Sequence, residues 1–282
     1  MNISPRNMVM LGALPLSMIF ILFYLIPLVI LFVSSLYTDD IAAYLTFANY
    51  YTVLTDKLYL EVLFETLSLA FQSTVLAVLL SIPLAVYYVS AGRTARSVLI
   101  ILILLPLLTS TVVRTFAWLV ILGREGAVNA FLSSIGLIDD PLSLIYTKGG
   151  LIVALAQIAL PLVALPVINS VLRMDTRLLD ASRALGASRW RTFFQVTLPL
   201  CMPGILAGSL LAFAFTATAF VTHTLVGGGR QIYMPLLIYQ QSIGLQKWGF
   251  AAALSMVFMA AVITIMGFAD RLVRSRMRGV DE

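Results

Sequence analysis

The chain has 282 residues, 61% of them hydrophobic and 11% charged, with a net charge of +5 and a mean hydropathy of +1.01. A soluble domain carries about a quarter charged residues, so this composition excludes an ordinary soluble enzyme and describes an integral membrane protein. The positive balance does not describe a nucleic-acid binder either: the arginines gather in short segments beside apolar runs, with no phosphate-binding stripe.

Arg6 is the last charge before Asp39. The apolar run between them is too long for a signal-peptide core and lacks a small-residue cleavage site. Residues 8–36 are therefore expected to form the first span, kinked at Pro15 or Pro27, where a backbone donor is missing. Residues 37–60, with Asp39, Asp40, Asp56 and Lys57, read as an external connection whose segments FANYYTVL and LYLEVLFETL lead into the next helix. Residues 66–90 form the second span, and the short linker AGRTARS carries Arg93 and Arg96. Residues 98–122 form the third span, with Pro106 and, unusually, Arg114. A second external loop over 123–150 is expected to hold a short amphipathic helix at VNAFLSSIGL. Residues 151–172, with Pro161 and Pro166, form the fourth span, 202–226 the fifth and 248–268 the sixth. The single cysteine, Cys201, excludes an internal disulfide or cysteine metal cluster and reads as a small buried residue at a helix start.

Charge sets the orientation. With the N-terminus inside, twelve of the eighteen basic residues fall on the internal side: Arg6, Arg93, Arg96, Arg173, Arg177, Arg183, Arg189, Arg191, Arg271, Arg274, Arg276 and Arg278. Eight of the thirteen acids fall outside. Both termini and the segment over 173–199 are thus expected in the cytoplasm.

That segment is the one long polar interruption of the apolar second half. Arg173, Asp175, Arg177, Asp180, Arg183, Arg189 and Arg191 would together cost on the order of 20 kcal/mol to bury at a bilayer centre, so it lies outside the lipid. Leu178, Leu179, Ala181, Ala184 and Leu185 suit a short helix, and Gly186 suits the left-handed turn after one. Ser188 stands where an N-cap would start a second short helix through Trp190, Phe193 and Phe194, which Pro199 is expected to close. The pattern predicts an amphipathic, basic helix–glycine–helix knob between two spans, a docking element.

The knob resembles the EAA loop of ABC importer permeases, the membrane subunits of binding-protein-dependent transporters. Their pattern is E-A-A, three residues, G, nine residues, I, one residue, L-P. Here Asp180-Ala181-Ser182, Gly186, Val196 and Leu198-Pro199 keep every spacing, with Asp for Glu, Ser for Ala and Val for Ile. The resemblance covers nearly the whole chain. FANYYTVL, VVRTFAWLVILGREGAVNAFLSSIGLIDDPL and FVTHTLVGGGRQIYMPLLIYQQ look like the spermidine/putrescine branch, some relatives of which import amino-acid-like, opine or phosphonate solutes.

The resemblance implies an all-α, six-span type I importer permease fold, a single transmembrane domain over residues 1–282 with cytoplasmic coupling helices. It implies a bacterial inner-membrane location and three kinds of partner: two ATPase subunits that bind ATP and Mg, a second, homologous and non-identical permease chain, and a periplasmic or surface-attached solute-binding protein. The first knob helix, with Asp180, Ala181 and Ser182, would enter a groove on the ATPase. Gly186 would supply the turn, and Arg183, Arg189 and Arg191 would pair with acidic groups there. For each arginine a purely topological charge is the competing reading.

No G-x-x-x-x-G-K-[ST] phosphate cradle occurs, so an ATP-driven engine would be a separate chain and this one would be non-catalytic, with no metal site. A proton- or sodium-coupled carrier usually needs ionisable groups near the midplane, and only Arg114 qualifies. Arg114 can instead snorkel outward or pair with a partner chain. A membrane-embedded enzyme would need clustered His, Asp, Glu or Cys, which one His and one Cys do not supply. In the fifth span, Gly204, Gly208 and Ala212 form a small-residue stripe for helix contact. Phe213, Thr216, Phe220 and His223 form a neighbouring arc that would border the translocation cavity, against the alternative of plain helix packing. Aromatic faces suit an organic cation.

Overall fold

A computed structural model describes residues 18–38, 44–229 and 231–278; the side chains of residues 176, 273–274 and 276–278 are not described. Residues 8–17 of the expected first span, Pro15 among them, lie outside the described residues, as do Arg6, Asp39, Asp40 and Arg230. Among the described residues, five helices are long and apolar enough to cross a membrane, and a bent pair, if it is one span, brings the number to six. By contact the chain divides into two units, residues 1–61 with 237–261 and residues 62–236 with 262–282.

In the first unit, α1 (Met18–Ser35) is apolar on every side and 6% buried, as a helix facing lipid would be. Its turn over Ile21–Leu25 widens to π geometry just before Pro27. Proline has no N–H to give the carbonyl four residues back, and the widened turn absorbs that defect. The connection after α1 is tied back: Asn49 Nδ2 donates to the carbonyls of Ser35 at 3.2 Å and Tyr37 at 2.9 Å, and the hydroxyls of Ser35 and Tyr50 lie 2.6 Å apart. Asn49 and Tyr50 belong to α2 (Ala48–Thr55). The next helix, α3 (Lys57–Ser90), starts on Asp56, whose carboxylate accepts from the Leu58 N–H at 2.9 Å.

The second unit is organised around α7 (Lys148–Leu172), 61% buried and the most enclosed of the span-length helices. Leu151, Ala154, Leu155, Ile158, Ala159, Val163 and Val167 are buried along it. Two small-residue rows close on α7. Ala70, Ser73, Ala77, Ser81 and Ala85 are buried on α3, and the Ser81 hydroxyl donates to the Leu160 carbonyl at 3.4 Å. On α9 (Arg189–Ala217), Gly204 and Gly208 meet α7 backbone to backbone: a Cβ on Gly208 would stand 2.8 Å from Val163 Cα, and one on Gly204 would strike Ser170 Oγ and the Pro166 carbonyl. Lipid tails do not drive two apolar helices together, so this close van der Waals approach is what holds them. The stripe of Gly204, Gly208 and Ala212 is therefore a packing seam.

Two expected spans are broken. Residues 98–122 do not form one helix; α4 (Arg93–Leu108) stops before Thr109–Ser110, α5 (Thr111–Leu122) follows, and the stretch Thr111–Ser134 is bent by 106° from α4. Pro106 ends α4 two residues later, and the freed carbonyl of Pro106 accepts from the Arg114 guanidinium and from Thr109 Oγ1 at 3.2 Å. At about 24 Å and 18 Å, neither piece alone crosses a hydrocarbon core of about 30 Å. The fifth span likewise ends at Ala217, and α10 (Phe220–Gly227) resumes after Thr218–Ala219. The loop before α7 holds α6 (Ala127–Ser134), fixed by buried Asn129, which bridges the Gly123 and Leu142 backbones at 2.9–3.0 Å. The remaining helices are α8 (Thr176–Ala184), α11 (Met234–Tyr239) and α12 (Trp248–Arg278).

Candidate coupling knob and membrane arc

The knob is built by local chemistry. Asp175 caps α8, its carboxylate accepting from the Arg177 N–H at 2.9 Å. The helix ends in a Schellman arrangement: the Ala187 N–H donates to the Ser182 carbonyl at 3.1 Å and the Gly186 N–H to that of Arg183 at 2.9 Å. Gly186 itself sits at φ +78°, the left-handed conformation that costs a Cβ-bearing residue about 1–2 kcal/mol. Ser188 then caps α9, accepting from the Arg191 N–H at 3.3 Å.

The second leg differs from expectation. Pro199 does not close a short helix. The leg runs on as α9 through a π-widened stretch over Phe193–Thr197, one leucine before Pro199, so the second leg and the following span are one continuous rod. The same device occurs before Pro27 in α1, and the cause is the same missing donor.

The two legs are pinned by a hydrogen bond between the hydroxyls of Ser182 and buried Thr192 at 2.9 Å. The departure at position 182, Ser where the family pattern has Ala, thus supplies a structural tie that its neighbours in sequence do not disclose. Beneath the knob a cavity of about 300 Å³ is lined by Val86 and Val89 of α3, Val171 of α7, Leu179, Phe193 and the two arginines Arg183 and Arg189. On the outer side, Asp180, Ala181 and Pro199 are exposed and Leu198 is half-buried. Asp180 and Arg183 lie 3.8 Å apart in a solvent-exposed pair that contributes little to stability. Leu185 is 88% and Trp190 74% exposed, with Trp190 stacked on Phe194 at 6.2 Å.

The membrane residues lie on three helices, of which α5 and α10 pack together, the hydroxyls of Thr115 and Thr222 lying 3.3 Å apart. Phe213 and Thr216 are buried on α9, and the Thr216 hydroxyl donates to the Ala212 carbonyl at 2.8 Å and faces the Ala70 carbonyl at 3.4 Å. Phe220 and His223 belong to α10, because the helix that was to carry all four breaks at Thr218–Ala219; Phe220 is half-buried. His223 is fully buried, its ring stacked 4.9 Å from that of Tyr233, and among the described residues neither ring nitrogen has a hydrogen-bond partner. Arg114 stands in the first turn of α5, where it also donates to Thr111 Oγ1 at 3.2 Å.

Sequence reasoning missed the tertiary pairings around these groups. Lys148 Nζ and Glu65 Oε2 lie 2.6 Å apart, and the Thr66 hydroxyl accepts from the Met234 N–H at 2.9 Å. Tyr233 donates its phenol to Gln231 at 2.7 Å; burial first, then the Glu65 carboxylate, push that phenol up to about 12. Partners 83 and 168 residues apart leave no local pattern. Among the described residues, no three or more of His, Cys, Asp and Glu gather to hold a metal.

A bundle of apolar helices with an exposed helix–glycine–helix knob defines a transport permease. Residues 6–279 match the family described as "Binding-protein-dependent transport system inner membrane component", and the chain belongs to that family. It is 31% identical over 263 residues to the spermidine/putrescine transport system permease protein PotB of Escherichia coli strain K12, covering 91% of this chain and 96% of that one. It is 33% identical over 264 residues to the PotB protein of Haemophilus influenzae, covering 91% and 92%. In structure it resembles a chain of a bacterial ABC transporter that imports the acidic polysaccharide alginate, with a TM-score of 0.77, 18% identity and 96% of each chain covered. It also resembles a chain of a bacterial alginate ABC transporter in complex with an alginate pentasaccharide-bound periplasmic protein, with a TM-score of 0.74, 18% identity and 96% and 95% of the two chains covered. The chain is thus a multi-pass inner-membrane permease subunit and not itself an enzyme.

Proposed function

We propose that this chain forms half of the translocation pathway of an ATP-driven polyamine importer of the spermidine/putrescine type. One observation carries the mechanism: the second leg of the knob and the following span are one rod, α9, whose glycines lie against the α7 backbone. A push on Leu185 and Trp190 is delivered through α9 to the core of the bundle, where close-packed helices shift as bodies between outward and inward states. Gly186 fixes the angle at which α8 meets the ATPase. ATP and Mg would be bound by two partner ATPase subunits, and a second, homologous permease chain would complete the pathway.

The excess of arginine on the knob, the α3–α4 turn and the C-terminal tail supports a cytoplasmic knob and cytoplasmic termini. The binding protein would then deliver solute to the opposite face, near the Glu65–Lys148 pair. The polyamine assignment draws on the two similar permeases.

Reconstitution of the chain with its partner permease, ATPase and binding protein tests this reading. Spermidine or putrescine should stimulate ATP hydrolysis and uptake, whereas amino acids, opines and phosphonates should not. Stimulation by one of the latter alone would refute the substrate. Uptake that collapses with an uncoupler and proceeds without the ATPase would refute the mechanism.

A further inference from the structure

We propose that the groove at the turn between α3 and α4 binds the phosphate-bearing headgroup of an anionic phospholipid. A cavity of about 370 Å³ opens there, lined by Tyr88, Ala91, Arg93, Arg96, Ser97 and Ile100, with two cations and no carboxylate among them. Arg96 is held in place. Its Nε donates to the Tyr88 carbonyl at 3.0 Å, its Nη2 to the Val89 carbonyl, and the guanidinium lies 5.9 Å from the centre of the Tyr88 ring. These bonds satisfy open carbonyls at the end of α3 and leave further guanidinium N–H groups to donate. Arg93 is exposed and, among the described residues, has no acidic partner. The first turn of α4 has no side-chain cap at Gly92, so the positive end of the helix adds to the two arginines.

The apolar surface beside the groove argues for a lipid over a soluble anion. From Ser97 the face of α4 continues through Val98, Ile101, Leu102 and Leu105, which are 50–60% exposed and recur at helical spacing. A bound headgroup at Arg93 and Arg96 lays its acyl chains along this stripe, satisfying both surfaces at once. A basic pocket at a helix end beside an apolar face has the chemistry that anionic headgroups need.

Native mass spectrometry of the full chain in neutral detergent tests the proposal, with phosphatidylglycerol and phosphatidylcholine of matched acyl chains as probes. The first bound phosphatidylglycerol should be retained over phosphatidylcholine. Arg93→Gln should weaken its retention about fivefold, the size expected for one basic residue at an anionic surface, and Arg93→Lys should restore most of it. Arg177→Gln, on the knob at the same end of the bundle, should leave it unchanged. Three results would overturn the site: no preference between the two lipids, equal losses in the Arg93 and Arg177 variants, or displacement of the lipid by inorganic phosphate alone. The readout is lipid retention, so its failure leaves the transport reading standing.

Discussion

Replacing Gly186 by alanine isolates what the knob's bend contributes. The residue sits at φ +78°, and no heavy atom lies within 4 Å of where a Cβ would stand. No clash is therefore added, and the whole cost is the left-handed backbone, about 1–2 kcal/mol. That energy lowers the population of the bent knob relative to straightened forms by a factor of about 5–30. At limiting ATPase concentration, solute-stimulated hydrolysis by the reconstituted transporter should fall by a similar factor. Thermal unfolding of the purified chain should hardly move, because α7 and its seam with α9 are untouched. Asparagine tolerates the left-handed region, so Gly186→Asn should recover most of the activity. If Gly186→Asn proved as damaging as alanine, or alanine matched the parent, the bend would not be the element that sets coupling.

Gly208→Ala should destabilise the bundle by about 1–3 kcal/mol through overpacking, since its Cβ would meet Val163 Cα at 2.8 Å; Gly92→Ala, which meets nothing within 4 Å, is the control in a detergent melting assay. Ser182→Ala should cost about 1 kcal/mol by leaving the buried Thr192 hydroxyl unpaired, whereas the double change Ser182→Ala with Thr192→Val should cost less, which a double-mutant cycle measures. Arg114→Gln should loosen the joint between α4 and α5, seen as faster hydrogen exchange at residues 106–114, with little effect on the knob. Tyr233 is neutral below both its folded value of about 12 and the ordinary phenol value of 10.0. Above pH 10 the unfolded chain releases the proton first, so stability should fall between pH 10 and 12, and Tyr233→Phe should remove that component.

The knob's first leg and turn were legible because the signals that form them are local: Asp175, Gly186 and Ser188 each act within three residues of themselves. The apolar runs were legible as membrane segments because insertion depends on summed hydropathy, which needs no fold. The breaks were not. Residues 98–122 and 202–226 are apolar on average despite Arg114 and His223, and summed hydropathy does not register the turn at Thr109–Ser110 or the one at Thr218–Ala219. Pro106 was visible, yet only the Arg114 guanidinium meeting its carbonyl shows why the chain turns there instead of kinking and continuing. Pro199 misled in the other direction, since a π-widened turn carries the helix through it. The arc of Phe213, Thr216, Phe220 and His223 presumed an unbroken helix, and its members part where that helix ends.

Leu185 offers the most direct test, being 88% exposed at the tip of the knob in a chain whose only native cysteine, Cys201, is buried. With Cys201→Ser and Leu185→Cys, a membrane-impermeant maleimide should label the chain in inside-out vesicles and not in intact spheroplasts, and added ATPase subunits should block the labelling while a bifunctional reagent links the two chains. Labelling from the outer face, or full reactivity and no cross-link with the ATPase present, would contradict the account.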